Sequence, residues 1–176
     1  MDLSKTVILT NRLKLIPTCL DYAPEIFKEF TDNITIYMYP KSARKISETE
    51  TFINTSIQEM ENGETLQVII LDKNTSEFLG HGGAKNLKTV TPELGIWIKK
   101  AAHGNKYGRE AVAGLKHWVD ENLKYKYIIY PADRRNVASR KIAESLGGIL
   151  EDEYKKINAS GNELDMVEYR IYPKSA

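Results

Sequence analysis

The stretch from Glu93 to Asn122, ELGIWIKKAAHGNKYGREAVAGLKHWVDEN, constrains the fold more than any other part of the chain. It reads as a buried strand, a loop punctuated by Gly104 and Gly108, and then an amphipathic helix. That order aims the unpaired backbone N–H groups of a helix N-terminus into a loop that a ligand can approach closely. Such a terminus carries roughly half a positive charge and binds phosphate readily. A phosphate-bearing ligand is the first functional expectation. A plain helix start that needs glycines for a tight turn would look the same at this point.

The bulk properties narrow the field. A chain of 176 residues fits one domain, expected here over residues 1–176, and can bury a substantial core. The 25 basic and 24 acidic residues nearly cancel, which argues against a nucleic-acid-binding surface. Cys19 is alone, so neither an internal disulfide nor a multi-cysteine metal site can form. The N-terminal MDLSKTVILTNRLKL has no signal-like apolar run, and nothing approaches the ~18 apolar residues of a membrane helix. A soluble, cytoplasmic protein with no membrane partner is expected, as a monomer or homodimer.

Periodicity supplies the remaining elements. Residues 6–16 alternate as a half-buried strand, and Cys19 to Thr31 carries Leu20, Ile26, Phe27 and Phe30 at helical spacing. Ile34 to Ile46 is ambiguous. Ser47 to Asn62 reads as a helix opened by a Ser47–Glu50 capping box and stopped by Gly63. Thr65–Leu71 and Phe78–Lys85 form a hairpin, and Glu93–Lys99 is a third strand of the middle region. Arg109 to Leu123 is helical. Tyr127 to Tyr130 reads as a doubly buried strand ended by Pro131. A helix over Asn136–Leu146 and two closing strands, about 149–157 and 163–172, complete the chain. About seven strands and four helices result, in a mixed, mostly antiparallel α+β sheet.

The order of elements and four local strings resemble the GNAT acyl-CoA N-acyltransferases, most closely the RimJ/RimL-type ribosomal-protein N-acetyltransferases. The strings are Thr10-Asn11-Arg12-Leu13-Lys14-Leu15, Glu93-Leu94-Gly95-Ile96-Trp97-Ile98, His103-Gly104-Asn105-Lys106-Tyr107-Gly108 followed by Glu110-Ala111, and Asn136-Val137-Ala138-Ser139-Arg140 with Leu146-Gly147. Each alone is a weak signal; four in the right order, across nearly the whole chain, form a strong one. Two positions depart from the pattern. Lys106 stands where the family has its central loop glycine, and Gly148 where an aromatic usually follows the last glycine. Lys106 is expected in a non-glycine conformation with its side chain outward, toward a phosphate.

The resemblance implies a GNAT fold and transfer of an acetyl group from acetyl-CoA, as co-substrate, to a primary amine by direct attack within a ternary complex. No metal is implied. The acceptor would be a protein N-terminus or a small molecule. A polyamine- or aminoglycoside-type acceptor is one alternative, and a CoA-binding module without catalysis is another. The pyrophosphate would lie on the backbone of His103, Gly104, Asn105, Lys106, Tyr107, Gly108 and Arg109. The strand Ile96-Trp97-Ile98 would expose a main-chain N–H to the thioester carbonyl and then to the oxyanion, worth ~3 kcal/mol in comparable sites.

Glu93 is the candidate base, acting through water; its alternative is a solvent-facing carboxylate at a strand end. His103 and His81 are rivals. His103 sits in the phosphate loop and suits a cofactor contact better; His81, in Gly80-His81-Gly82-Gly83, is otherwise structural, and His117 is expected to be structural. The tyrosine that many family members use to protonate the leaving thiolate is Ala143 here, so Ser139 is the substitute candidate. Ser139 and Asn136 each divide between helix-start bonding and ligand contact. Arg140, from the basic group Arg134, Arg135, Arg140 and Lys141, would meet the 3′-phosphate. Acceptor choice is expected to reside in Asp32–Ser47 and in the closing hairpin, neither of which carries a readable code.

Overall fold

Eight strands form one sheet in the order β1-β2-β3-β4-β5-β6-β8-β7, in a computed structural model that describes residues 1–174. The strands are β1 (Ile8–Leu9), β2 (Leu13–Pro17), β3 (Leu66–Asp72), β4 (Phe78–Lys85), β5 (Glu93–Ile98), β6 (Ile128–Asp133), β7 (Ile149–Ile157) and β8 (Glu163–Ile171). The helices are α1 (Ala23–Glu29), α2 (Asp32–Thr35), α3 (Ile46–Glu61), α4 (Tyr107–Asn122) and α5 (Val137–Ser145). All neighbouring strands are antiparallel except β5 and β6, which the α4 crossover connects in parallel. The mixed, mostly antiparallel α+β architecture expected from the sequence is the one observed.

The eighth strand comes from splitting the first one expected. Residues 6–16 bend at Thr10–Arg12, so Ile8 returns to pair with Leu15. The Thr10 hydroxyl accepts from Leu13 N–H at 3.0 Å and makes that bend. The first helix is also shorter than its spacing implied. Leu20–Tyr22 is a 3-10 turn, and α1 begins at Ala23 because Pro24, lacking an N–H, fits only a first turn.

The capping box needs correction as well. Helix α3 starts at Ile46, which places Glu48 rather than Glu50 at the third position. The Glu48 carboxylate accepts from the backbone N–H of Arg44 and Lys45 at 2.6 and 2.8 Å, and Ser47 falls inside the helix.

Two apolar layers flank the sheet. On one side Ala111, Val112, Leu115 and Val119 of α4 pack on Leu13, Leu15, Val68, Ile70, Leu79, Leu94 and Ile128. On the other, Ala23 and Ile26 of α1 and Ile53 of α3 cover Ile69, Leu71, Phe78 and Trp97. Alternate residues of β3 therefore face opposite layers, and Leu66 to Leu71 is buried throughout.

Strand β6 does not end at Pro131; it continues to Asp133, paired with β8 from Ile128↔Ile171 to Asp133↔Met166. Ile129 N–H donates to Pro92 C=O at 2.8 Å, so that edge of β6 faces β5. Pro131, two residues on, points its missing N–H the same way. A proline is tolerated there because pairing between β5 and β6 extends only to Glu93↔Ile129. Beyond that point the two strands splay apart.

Candidate active site

The splay leaves one edge of β5 without a strand partner. Strand alternation, fixed by the Pro92 carbonyl facing β6, turns the N–H and C=O of Ile96 and Ile98 into the gap. Trp97 differs from expectation. Its backbone faces β4, opposite His81, and its indole leaves the gap to pack against Phe30 and Phe78, with ring centroids 4.9 and 5.9 Å away. Trp97 thus contributes a wall rather than a backbone contact.

At the far end of β5 the loop enters α4. Gly104 and Lys106 both have positive φ, +85° and +60°. Lys106 therefore keeps the left-handed conformation of the glycine it replaces, contrary to the non-glycine geometry expected from its side chain. It precedes α4 directly, and no side chain caps that helix. Among the described residues nothing accepts from the N–H groups of Tyr107, Gly108 or Arg109, which are the orphan donors of a first turn. Gly108 leaves room beside α5: a Cβ there would stand 3.2 Å from the tip of the Ile142 side chain, a tight contact. The His103 imidazole sits 2.7 Å from the Ile98 carbonyl, fastening the loop to the end of β5. Asn105 turns its amide back onto Ala102 C=O at 3.1 Å and does not line the cavity.

A brace behind this loop went unread in the sequence. The Glu110 carboxylate accepts from Thr10 Oγ1 at 2.6 Å, Arg12 N at 2.7 Å and Arg12 Nε at 2.7 Å. A second guanidinium N–H of Arg12 donates to Asn105 C=O at 3.0 Å, and the group lies 4.7 Å over the Tyr107 ring. Desolvation opposes the Glu110 charge, but these hydrogen bonds and the Arg12 charge outweigh it and hold its carboxyl below the usual range. The signal available was the Thr10–Leu15 string itself, whose partner lies about a hundred positions away.

Across the gap, Asn136 caps α5, its side-chain oxygen accepting from Ser139 N–H at 3.2 Å. Ser139 Oγ lies 3.1 Å from the hydroxyl of Tyr130 on β6, a second residue not singled out from sequence. Burial pushes the Tyr130 phenol up to about 12, against a smaller lowering by the Ser139 bond, so it stays protonated. Ala143 is wholly buried and faces the core.

Two cavities meet here. One, of about 690 Å³, runs along Ile96 and Ile98 to His103, Gly104, Lys106, Tyr107, Gly108 and Arg109. The other, of about 500 Å³, lies over Glu93, Gly95, His81 and Phe52 and under Tyr37 to Ser42. Both are lined by Tyr37, Met38, Ile96, Trp97, Asn136 and Ser139, which form the junction between them. Glu93 is half-buried at the second cavity and makes no ion pair with the described residues.

Arg140 stands apart from both cavities, contrary to its expected phosphate contact. It donates to the Tyr169 hydroxyl at 3.0 Å and to Arg134 C=O at 3.2 Å. Lys141, its neighbour, lines the larger cavity instead. His81 is no poised base. Burial, helped by the Lys85 charge, pushes its imidazole down to about 3, so the ring is neutral at any working pH. His117 is exposed and pairs with Glu121 at 3.2 Å. Among the described residues no group of three His, Cys, Asp or Glu side chains gathers as a metal site. No helix there is long and apolar enough to cross a membrane.

Residues 12–149 match the family model described as the acetyltransferase (GNAT) domain. No curated protein matches the chain in sequence. Among solved structures, the chain superposes on RimL, the ribosomal L7/L12 alpha-N-protein acetyltransferase in complex with coenzyme A, with a TM-score of 0.84. Identity there is 16%, over 97% of this chain and 100% of the other. A GNAT-family acetyltransferase from Bacillus anthracis gives 0.82 at 19% identity, covering 97% and 100% of the two chains. The microcin C7 self-immunity acetyltransferase MccE, in complex with acetyl-CoA and AMP, gives 0.81 at 20% identity, covering 93% of each. At these identities the likeness is one of fold.

Proposed function

The chain belongs to the GNAT acetyltransferase family, and on that premise we propose that it transfers the acetyl group of acetyl-CoA to a primary amine by direct attack in a ternary complex. The observation that carries this reading is the continuity of the two cavities. An uncapped helix start lies at one end of the splay, and a carboxylate lies at the other.

The residues divide the work by what they can donate or accept. Backbone N–H groups of Tyr107, Gly108 and Arg109 provide a preformed anion cradle, with Arg109, Lys106 and Lys141 adding positive charge at the larger cavity. Ile96 or Ile98 N–H bonds the thioester carbonyl and then the oxyanion. The group is prealigned because β5 stays locked to β4 from Gly80↔Ile98 to Lys85↔Glu93. Glu93 accepts the amine's proton through water, a task easier for an α-amine of pKa about 8 than for a lysine near 10.4. Ser139 donates a hydrogen bond to the departing thiolate; either hydroxyl of the Tyr130–Ser139 pair can donate, and when Tyr130 does, the serine proton is free to point into the junction. A thiol of pKa about 8.5 needs no stronger acid.

The acceptor in this reading is a protein N-terminus or a small amine. The enclosing segment Tyr37–Ser42 supports a compact end group: Tyr39 C=O accepts from Ala159 N–H at 2.9 Å, which ties the segment to the β7–β8 turn and closes that side. The test is acetyl-CoA binding by thermal shift, followed by thiol release over a panel of amines. Stabilisation with turnover on at least one amine is expected. Stabilisation with none would favour the non-catalytic CoA-binding module.

A further inference from the structure

Two polar side chains in the smaller cavity have no task in the chemistry above. Gln67 and His81 are only 6% and 5% exposed, yet both line that cavity. They share one face of the sheet, because Gln67 pairs with Gly83 while His81 pairs with Ile69 and Trp97. Glycines clear the space between them and β5. A Cβ on Gly83 would stand 2.8 Å from Gln67 Oε1, so the carboxamide lies across that glycine. Over Gly95, the next position in the same row, there is open space.

The carboxamide of Gln67 makes no hydrogen bond to any described residue. Its polar atoms are not sealed off from the cavity, so the cavity is where they find a partner. His81 uses only one nitrogen: Nε2 lies 2.8 Å from Thr18 Oγ1. Thr18 is 2% exposed, and its hydroxyl has no other partner among the described residues. A buried hydroxyl must place its proton, and Nε2 is the acceptor available. That assigns the imidazole proton to Nδ1, the nitrogen left for the cavity. The rim carries charges of both signs, Glu48 and Glu93 with Lys41, Lys85 and Lys156, but the floor is neutral.

We propose that Gln67 and His81 form a neutral hydrogen-bonding floor that reads an oxygen on the acceptor, a carbonyl or hydroxyl a few bonds from the reacting nitrogen. The reach is shortened because the Gln67 carboxamide leans over Gly83, which pairs with Gly95, so both floor groups stand one strand spacing, roughly 5 Å, from β5. Plain alkylamines leave the floor unpaired and are disfavoured, as expected of sites built to hydrogen-bond their substrate. The proposal rests on the acetyltransferase reading and deepens it.

The test compares kcat/KM for glycinamide and n-propylamine in the wild type and in Gln67→Met, which keeps length and removes both hydrogen-bonding atoms. Each protein's ratio cancels the intrinsic reactivity of the two amines. The glycinamide-to-propylamine ratio is expected to fall about fivefold in Gln67→Met, the equivalent of one lost hydrogen bond, mainly through KM. A ratio that stays within about twofold of wild type overturns the floor, since a lost neutral hydrogen bond is larger than that. A second arm needs no turnover. Imidazole ¹⁵N–¹H spectra of the wild type should place the His81 proton on Nδ1 and show it shifting when glycinamide is added to the CoA-loaded protein. A proton on Nε2, or no shift at saturating glycinamide, overturns the proposal. If CoA itself fails to bind, the acetyltransferase reading fails separately, and glycinamide added alone still reports on the floor.

Discussion

Replacing Arg12 with methionine should weaken acetyl-CoA binding from behind the loop, without removing any group that lines the cavity. The side chain makes three contacts that methionine cannot: Nε to Glu110 at 2.7 Å, a second N–H to Asn105 C=O at 3.0 Å, and the stack 4.7 Å over Tyr107. The ion pair is partly exposed, 42% for Arg12 and 18% for Glu110, so it is worth no more than about 1 kcal/mol. The bond to Asn105 adds about 1 kcal/mol and the stack about 0.5 kcal/mol. Because the contacts share one side chain they do not add fully, and about 2 kcal/mol of stability is the expected loss. For a chain of this size that is a fall of about 4–8 °C in Tm.

Of these contacts, the Asn105 bond and the Tyr107 stack act on the loop directly, and they do not add fully. Losing about 1 kcal/mol of preorganisation there raises the acetyl-CoA Kd about fivefold. Calorimetric titration and thermal unfolding measure the two effects separately. Arg12→Lys should recover little of either, because an ammonium cannot fork between Glu110 and Asn105. A lower Tm with an unchanged Kd would refute the claim that Arg12 organises the loop. An unchanged Tm would show the whole brace to be screened by solvent.

Other expectations follow from the same geometry. Glu93→Gln should lower turnover about a hundredfold; full turnover across pH would remove Glu93 from the base role. Lys106→Val should cost ~1–2 kcal/mol, since a β-branched residue resists the left-handed conformation. Lys106→Gly should be near neutral, and equal stability of both variants by thermal unfolding would contradict that backbone. Acid should destabilise the fold through Glu110 and Asp133. Burial of Asp133 is outweighed by its bonds from Arg135 and Asp165 N–H, so both carboxyls sit below their ordinary values. Their contribution is complete above the unfolded carboxyl range and is lost as pH falls through the folded values. Asp133→Asn should therefore shrink the loss of denaturant stability between neutral pH and about pH 3; an unchanged difference would exclude this carboxylate.

The strand, loop and helix from Glu93 to Asn122 were legible because each obeys a local rule of periodicity or glycine placement. What escaped the sequence depends on partners far away in the chain. Pro131 looked like a strand terminator because its tolerance comes from a neighbouring strand that turns away. Arg12 and Tyr130 looked like ordinary strand residues, and their roles appear only opposite Asn105, Glu110 and Ser139. Gln67 was lost within an apolar run for the same reason. Arg140 erred in the opposite sense: its charge suggested phosphate, but the Tyr169 hydroxyl and Arg134 carbonyl claim it. Lys106 shows that the helix start can require the left-handed conformation even where the residue is not glycine.

The central claim is that acetyl-CoA lies in the splay between β5 and β6 with its pyrophosphate on the α4 terminus. Backbone amide ¹⁵N–¹H spectra recorded through an acetyl-CoA titration test it most directly. The account predicts the largest shifts at Tyr107, Gly108 and Arg109 and at Ile96 and Ile98, with Trp97, whose backbone is turned toward β4, moving less. Saturable binding that leaves those five amides unmoved would contradict it.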